Sequence, residues 1–166
     1  KQSRNTSISD ASHTKYPYLL NGITASHSNH IWGTDITYIR LEHSWCYLMA
    51  VIDWYSRYVV GWKLSPSMES DFCIEAMREA ITSHGVPDIS NSDQGSQFTD
   101  HEFTGLLESY GAHISMDGRG RCMDNIFTER LWRTVKYEEI YLKSYRTIEE
   151  ARLSLSAYFE FYNNQR

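Results

Sequence analysis

Three carboxylates, Asp35, Asp93 and Glu129, are the residues whose types and positions suggest chemistry. Asp35 stands in the middle of Trp32-Gly-Thr-Asp-Ile-Thr-Tyr-Ile39, a β-branched and aromatic run in which aspartate is disfavoured. An unpaired carboxylate buried there would be costly unless a cation or hydrogen bonds compensate; the plain alternative is an acid on an edge strand facing water. Asp93 falls where a short strand gives way to Ser92-Asp-Gln-Gly95, where aspartate is also an ordinary turn residue. Glu129 follows Asp93 by 36 positions, but 21 acids in 166 residues give roughly two such pairs by chance, so spacing alone is weak. Placement is more informative: mid-strand, strand end, and the polar face of a helix. Carboxylates from three elements can converge on hard cations. Mg²⁺ prefers oxygen ligands and keeps several waters, and two such ions ~4 Å apart can bracket a phosphate in an in-line displacement that needs no nucleophilic side chain.

The elements that must position these side chains follow from periodicity. Residues 31–41, 45–53 and 57–64 read as strands, and their short connections favour an antiparallel meander. Cys73, Met77, Ala80 and Ile81 recur at helical spacing within 69–84, which Gly85 and Pro87 close. A short strand is expected over 89–93. The next helix is predicted to open with a capping box at Thr99 and Glu102, bury Phe103, Leu106, Leu107 and Tyr110, and stop at Gly111. Residues 112–116 read as a fifth strand and 117–121 as a mobile loop. Asp124 or Asn125 can cap the helix beyond, in which Phe127, Leu131 and Val135 form an apolar stripe. Glu129, Arg133 and Lys136 share a second face about 200° away. A second capping box, Thr147 with Glu150, starts a last helix burying Ala151, Leu155, Tyr158, Phe159 and Tyr162. Residues 1–14, with only Ile8 and Ala11 as hydrophobes, read as a flexible tail. The expected division is a tail and linker over 1–30 and a core over 31–166, of α/β class, with a mixed five-stranded sheet flanked by helices.

At 166 residues, with 41% hydrophobic and 14% aromatic content, the chain suits one folded domain and excludes a disordered or collagenous one. Its longest apolar run, 45–52, falls far short of the ~18 residues of a membrane span, and no basic stretch followed by an apolar one stands at its start, so export is not expected. A first residue of Lys rather than Met reads as a fragment or trimmed chain. Cys46, Cys73 and Cys122 form no C-x-x-C pair, which argues against a disulfide framework or zinc clip and fits a reducing cytoplasm. A net charge of -5 argues mildly against nucleic acid. Residues 119–146, however, hold seven basic against four acidic side chains, a local excess of three positive charges.

Five motifs taken together carry a resemblance: Trp32-Gly-Thr-Asp-Ile-Thr-Tyr38, Val51-Ile-Asp-Trp-Tyr-Ser-Arg57, Asn91-Ser-Asp-Gln-Gly-Ser-Gln-Phe98, Ser115-Met-Asp-Gly-Arg-Gly120 with Asp124-Asn125, and Glu129-Arg-Leu-Trp132 with Lys136-Tyr-Glu138. From about Tyr16 onward the chain resembles the integrase core of bacterial insertion-sequence transposases, most closely those made by fusing two reading frames. The resemblance implies a ribonuclease-H-like fold and a DDE triad at Asp35, Asp93 and Glu129. It implies Mg²⁺, with Mn²⁺ as substitute, in two ions: Asp35 bridging both, Asp93 and Glu129 each completing one site. The implied activity is metal-dependent nicking at an insertion-sequence end and joining of the freed 3′-hydroxyl to target DNA. Implied partners are double-stranded DNA and further copies in a homo-oligomer, in a bacterial cytoplasm beside the nucleoid. Lys136, seven residues after the glutamate, lies where such enzymes set a basic residue against the transposon end, and Arg133, Arg119 and Arg121 are the expected companions. Relatives carry a helix-turn-helix region upstream and continue past Asn164-Gln-Arg166. The alternatives are a nuclease of the same fold that only hydrolyses, and a catalytically silent DNA-binding relic.

Other features have plainer readings. Asp53 with Arg57 reads as a structural ion pair. His27 and His30 lack a following Cys pair, which leaves no zinc finger and suggests surface residues. Trp132 and the tyrosines of the last helix fall at core spacing. Gly118 and Gly120 lack the strand-loop-helix context of a phosphate-binding loop.

Overall fold

A computed structural model describes residues 14–118 and 125–166. The expected loop residues Arg119, Gly120 and Arg121, together with Cys122, Asp124 and residues 1–13, lie outside the described residues. Strands β1 (Ile31–Arg40), β2 (Trp45–Asp53) and β3 (Val59–Ser65) form the antiparallel meander, and β4 (Ile89–Ser92) and β5 (His113–Met116) add in parallel, giving the order β3-β2-β1-β4-β5. The sheet is mixed, five-stranded and flanked by helices, as expected. β1 is its central strand, which disposes of the edge-strand reading of Asp35.

Each face of the sheet carries its own core. One face packs α1 (Asp71–His84) and α3 (His101–Ser109) through Met77, Ala80, Phe103 and Leu107. The other packs α4 (Ile126–Glu138) and α5 (Ile148–Gln165) through Leu131, Val135, Leu155 and Phe159. A short helix, α2 (Ser96–Thr99), precedes α3, and a single 3-10 turn, Ile140–Leu142, joins α4 to α5. β3 is an edge strand, and the side-chain amide of Asn163 covers it, accepting from Val59 N at 2.8 Å and donating to Val59 O at 3.0 Å.

Side-chain caps open two of the helices, α3 and α5. Thr147 Oγ1 accepts the Glu150 amide at 3.2 Å, as predicted, although the Glu150 carboxylate reaches back to Arg146 N rather than to the cap residue itself. The cap of α3 is Asp100, not Thr99: its Oδ1 accepts Glu102 N at 2.8 Å, while Thr99 ends the preceding short helix. Both residues are good caps, and the ionised one interacts more favourably with a helix N-terminus. Tyr110, predicted to be buried, is 47% exposed, because α3 ends before it can turn the ring inward. Part of the stretch assigned to the tail and linker lies on the core. Leu20 is buried, Leu19 N donates to Ser115 Oγ at 3.0 Å, and Met116 N donates to Pro17 O at 3.2 Å. Apolar residues that 1–14 lack hold it there. Cys46 and Cys73 are buried free thiols, which burial pushes up to about 11 and 12.

Candidate active site

The parallel pairing of β1 with β4 brings the first two carboxylates together. Ile31 lies opposite Ile89 and Gly33 opposite Asn91; Asp93 follows the end of β4 at Ser92, on the strand next to β1, and its charge acts on Asp35. Asp35 is half-buried, whereas Asp93, just past the end of β4, is exposed. Asp93 Oδ1 accepts Gly95 N at 2.8 Å, a turn contact of the kind its sequence suggested.

The third carboxylate comes from α4. Trp132 Nε1 donates to Asp35 Oδ2 at 2.9 Å, and Glu129, one helical turn earlier, is exposed on the same helix. Trp132 is therefore more than the core residue its spacing predicts: 7% exposed, it also orients the central carboxylate. α4 approaches β1 at Gly33. A Cβ there would collide with Trp54 Nε1 and lie 2.7 Å from Thr128 Oγ1 and 3.1 Å from Asn125 Oδ1. Thr128 Oγ1 in turn donates to Asn125 Oδ1 at 2.6 Å, inside the first turn of α4.

The electrostatics of the cluster converge on Asp35. Burial, first, and then the Asp93 and Glu129 charges push it up to about 6 against an ordinary 3.8, while the Trp132 indole and the Ile36 amide pull the other way. Among the described residues, no three His, Cys, Asp or Glu side chains stand close enough to enclose a metal ion. Like charges oppose close approach without a cation between them, and an all-oxygen donor set of this charge suits a hard divalent ion.

A polar shelf missed by sequence reasoning supports the strand ends. Asn91 Nδ2 donates to the buried Asp117 Oδ1 at 2.9 Å, Asp117 N to Ser92 O at 2.8 Å, and Gln94 Nε2 to Asp117 O at 3.1 Å. Two buried polar atoms lack a partner among the described residues, Asn91 Oδ1 and Trp54 Nε1. Both belong to residues flanking Gly33, opposite it in the sheet or against its Cα. The one available signal was Asn91 itself, a polar residue in a short strand beside Asp93.

Asp53 belongs to a different structure. Its oxygens accept the main-chain amides of Asn29 at 2.8 Å, Tyr55 at 2.9 Å and Ser56 at 3.4 Å. The expected ion pair with Arg57 is replaced by these bonds, and Arg57 donates to Trp54 O and stacks over the Phe127 ring, its Cζ 3.4 Å from the centroid. His27 stacks on His30 at 4.6 Å and faces Asp88 Oδ2 at 3.1 Å. Of the expected cations, Arg133 is exposed and Lys136 half-exposed, with Nζ 5.7 Å from the Tyr38 ring centre. The glutamates that could have neutralised them are engaged elsewhere, Glu138 by Arg166 and Tyr158, Glu139 by Lys143 and Tyr145.

With this geometry in view, the comparisons decide the family. A model described as Integrase core domain matches residues 25–122, and a second of the same description matches 110–166. The chain belongs to the integrase core family. Relatives of this integrase core include the transposase InsF for insertion sequence IS3A of Escherichia coli (strain K12), 33% identical over 138 residues, covering 82% of this chain and 48% of that protein. The transposase for insertion sequence element IS629 of Shigella sonnei is 29% identical over 143 residues, covering 86% and 48%. The chain thus spans about half the length of these transposases. Among solved structures, the HTLV-2 integrase catalytic core domain in complex with magnesium aligns with TM-score 0.59 at 25% identity, over 69% of this chain and 72% of that one. The simian T-cell lymphotropic virus intasome aligns with TM-score 0.64 at 22% identity, over 77% and 45%. These neighbours place the integrase core in the ribonuclease-H-like fold.

Proposed function

We propose that this integrase core is the catalytic domain of a DNA transposase, which nicks the end of an insertion sequence and joins the freed 3′-hydroxyl to target DNA. What supports the reading is that the charges of Asp93, just past β4, and of Glu129, on the helix whose Trp132 bonds Asp35, both act on the Asp35 carboxylate. Asp35, Asp93 and Glu129 would hold two Mg²⁺ ions, or Mn²⁺ in their place. When bound, the ions supply charge neutralisation and a lowered pKa for the attacking water or hydroxyl. The indole of Trp132 occupies one oxygen of Asp35 and so fixes the direction of the other. Gly95 N does the same for Asp93. Arg133 and Lys136, with Arg119 and Arg121 earlier in the sequence, meet the phosphates of double-stranded DNA flanking the reacting bond, and further copies of the chain complete the assembly that holds two ends.

A supercoiled plasmid carrying an insertion-sequence end tests this. Nicking and strand transfer that require Mg²⁺ or Mn²⁺ are expected from the chain, and Asp93→Asn and Glu129→Gln should each abolish both while melting as cooperatively as the parent. Millimolar Mn²⁺ should raise the parent's melting temperature and leave that of the variants unchanged. Hydrolysis without joining would make it a nuclease; DNA binding without either reaction would make it a silent relic.

A further inference from the structure

Beyond the carboxylates, a groove of about 800 Å³ opens between the far end of the β1–β2 hairpin and the junction of α4 with the 3-10 turn. Two elements lead into it from the candidate site. Tyr38 lies three residues past Asp35 along β1, and Lys136 seven residues past Glu129 along α4, each ~10 Å on. The lining is aromatic and basic together. Tyr38, Trp45 and Tyr141 are 61%, 50% and 62% exposed, large rings left facing water in a chain that buries or half-buries sixteen of its other twenty aromatic side chains. Arg40 Cζ stands 6.0 Å from the Trp45 ring centre and Lys136 Nζ 5.7 Å from that of Tyr38, and the two rings meet edge to face at 5.4 Å. Arg40, Lys136 and Arg146 have no ion-pair partner among the described residues, and the lining carboxylate Glu42 faces His43.

Charge complementarity calls for an anion, in a chain whose net charge is -5. The rings narrow the choice. A duplex offers phosphates and base edges but keeps its base faces stacked inside, so it would leave the three rings uncovered. An acidic peptide would pair with the cations and do the same. An unpaired strand brings both phosphates and free base faces, and stacking of bases on exposed aromatics beside cations is tolerant of sequence. The volume suits one or two nucleotides rather than a double helix.

We infer that this groove takes an unpaired DNA strand leaving the carboxylates, with bases stacked on Tyr38, Trp45 and Tyr141 and phosphates met by Arg40, Lys136 and Arg146. The inference rests on the proposed DNA reaction and adds the form of DNA that the site requires next to the reacting bond, a locally opened end.

Fluorescence anisotropy of the 166-residue chain with labelled oligothymidylate and with a duplex of equal length, across a salt series, tests it. Trp45→Ala and Tyr141→Ala are each expected to weaken single-strand binding about fivefold or more and to change duplex binding by less than about twofold. Tyr141→Phe should restore the parent affinity, since stacking uses the ring and not the hydroxyl. Arg146→Gln should weaken single-strand binding and flatten its salt dependence. Equal losses on both DNAs, or no loss on either, overturn the inference. So does polyglutamate binding as tightly as the oligonucleotide, which would make the groove a dock for an acidic protein, or self-association that Trp45→Ala abolishes, which would make it an interface between copies. Metal-dependent nicking measured on the same preparations separates the two failures: nicking retained without a stacking effect overturns the groove alone, and no nicking overturns the proposed function.

Discussion

Asp35 is held away from its ordinary titration by burial first and by Asp93 and Glu129 next, and the consequence for stability has a definite sign. The folded chain binds this proton more tightly than the unfolded chain between about 4 and about 6. Stability contributed at this position is therefore highest below about 4, falls as the pH rises through 6, and stays low above it. A rise of this size corresponds to a penalty of order 1–3 kcal/mol at neutral pH. Asp35→Asn keeps an oxygen for the Trp132 indole and removes the charge, so in EDTA it should melt several degrees above the parent at neutral pH, with the advantage vanishing near pH 4. An advantage that grew on acidification would contradict this account. The sequence left Asp35 as either an expensive buried acid or an edge residue; it could not show that the compensating donor is an indole 97 residues away. Asp53 and Arg57 were misread for the converse reason. Their proximity in sequence suggested each other, but main-chain amides at a strand end satisfy a carboxylate with less ordering of side chains than a guanidinium does.

α4 is the element on which the site depends, and Gly33 is what lets it sit so near β1. A methyl group there must displace Trp54 or Thr128. Gly33→Ala is accordingly expected to cost about 1–3 kcal/mol by chemical denaturation and to lower cleavage more than the loss of stability explains, because the turn carrying Glu129 moves. Thr128→Ala in the same chain should recover part of the cost, with a coupling of at least about 0.5 kcal/mol in a double-mutant cycle; strict additivity would show that α4 does not press on this glycine. The opposite end of the same helix yields a different expectation. Lys136→Ala should weaken DNA binding and reduce its salt dependence by about one unit of slope while leaving the melting temperature nearly unchanged, and an unchanged slope would return Lys136 to ordinary helix surface. The two faces of α4 were legible in its sequence because an amphipathic helix writes its period into its residues. The exact cap of α3 was not, because Thr99 and Asp100 are adjacent and both of capping type, and a serine on another element, Ser70 Oγ donating to Asp100 Oδ2 at 3.0 Å, adds to the choice.

At the scale of the whole molecule, the elements were readable one by one, and the β1–β2–β3 meander followed from short connections. The parallel addition of β4 and β5 was not fixed by any local pattern; β4 pairs with β1 across 58 residues of sequence, as Ile31 with Ile89. The polar shelf of Asn91 and Asp117 was hidden for the same reason, since 26 residues separate its partners. These separations bear on the order in which the molecule is built. The meander closes through turns of a few residues, whereas the Trp132–Asp35 bond closes a loop of 97 and the Asn163–Val59 pair one of 104. Long loops lose more chain entropy on closing, so the meander can form early and α4 docks on a sheet already in place. In native-state hydrogen exchange, amides of β1 and β2 should then be the slowest and those in the first turn of α4 the fastest within the regular elements, and comparable protection in the two would refute this order. A site joined by the last contacts to form is also joined by the first to open, so the carboxylates can come apart and regroup while the sheet beneath them never unfolds.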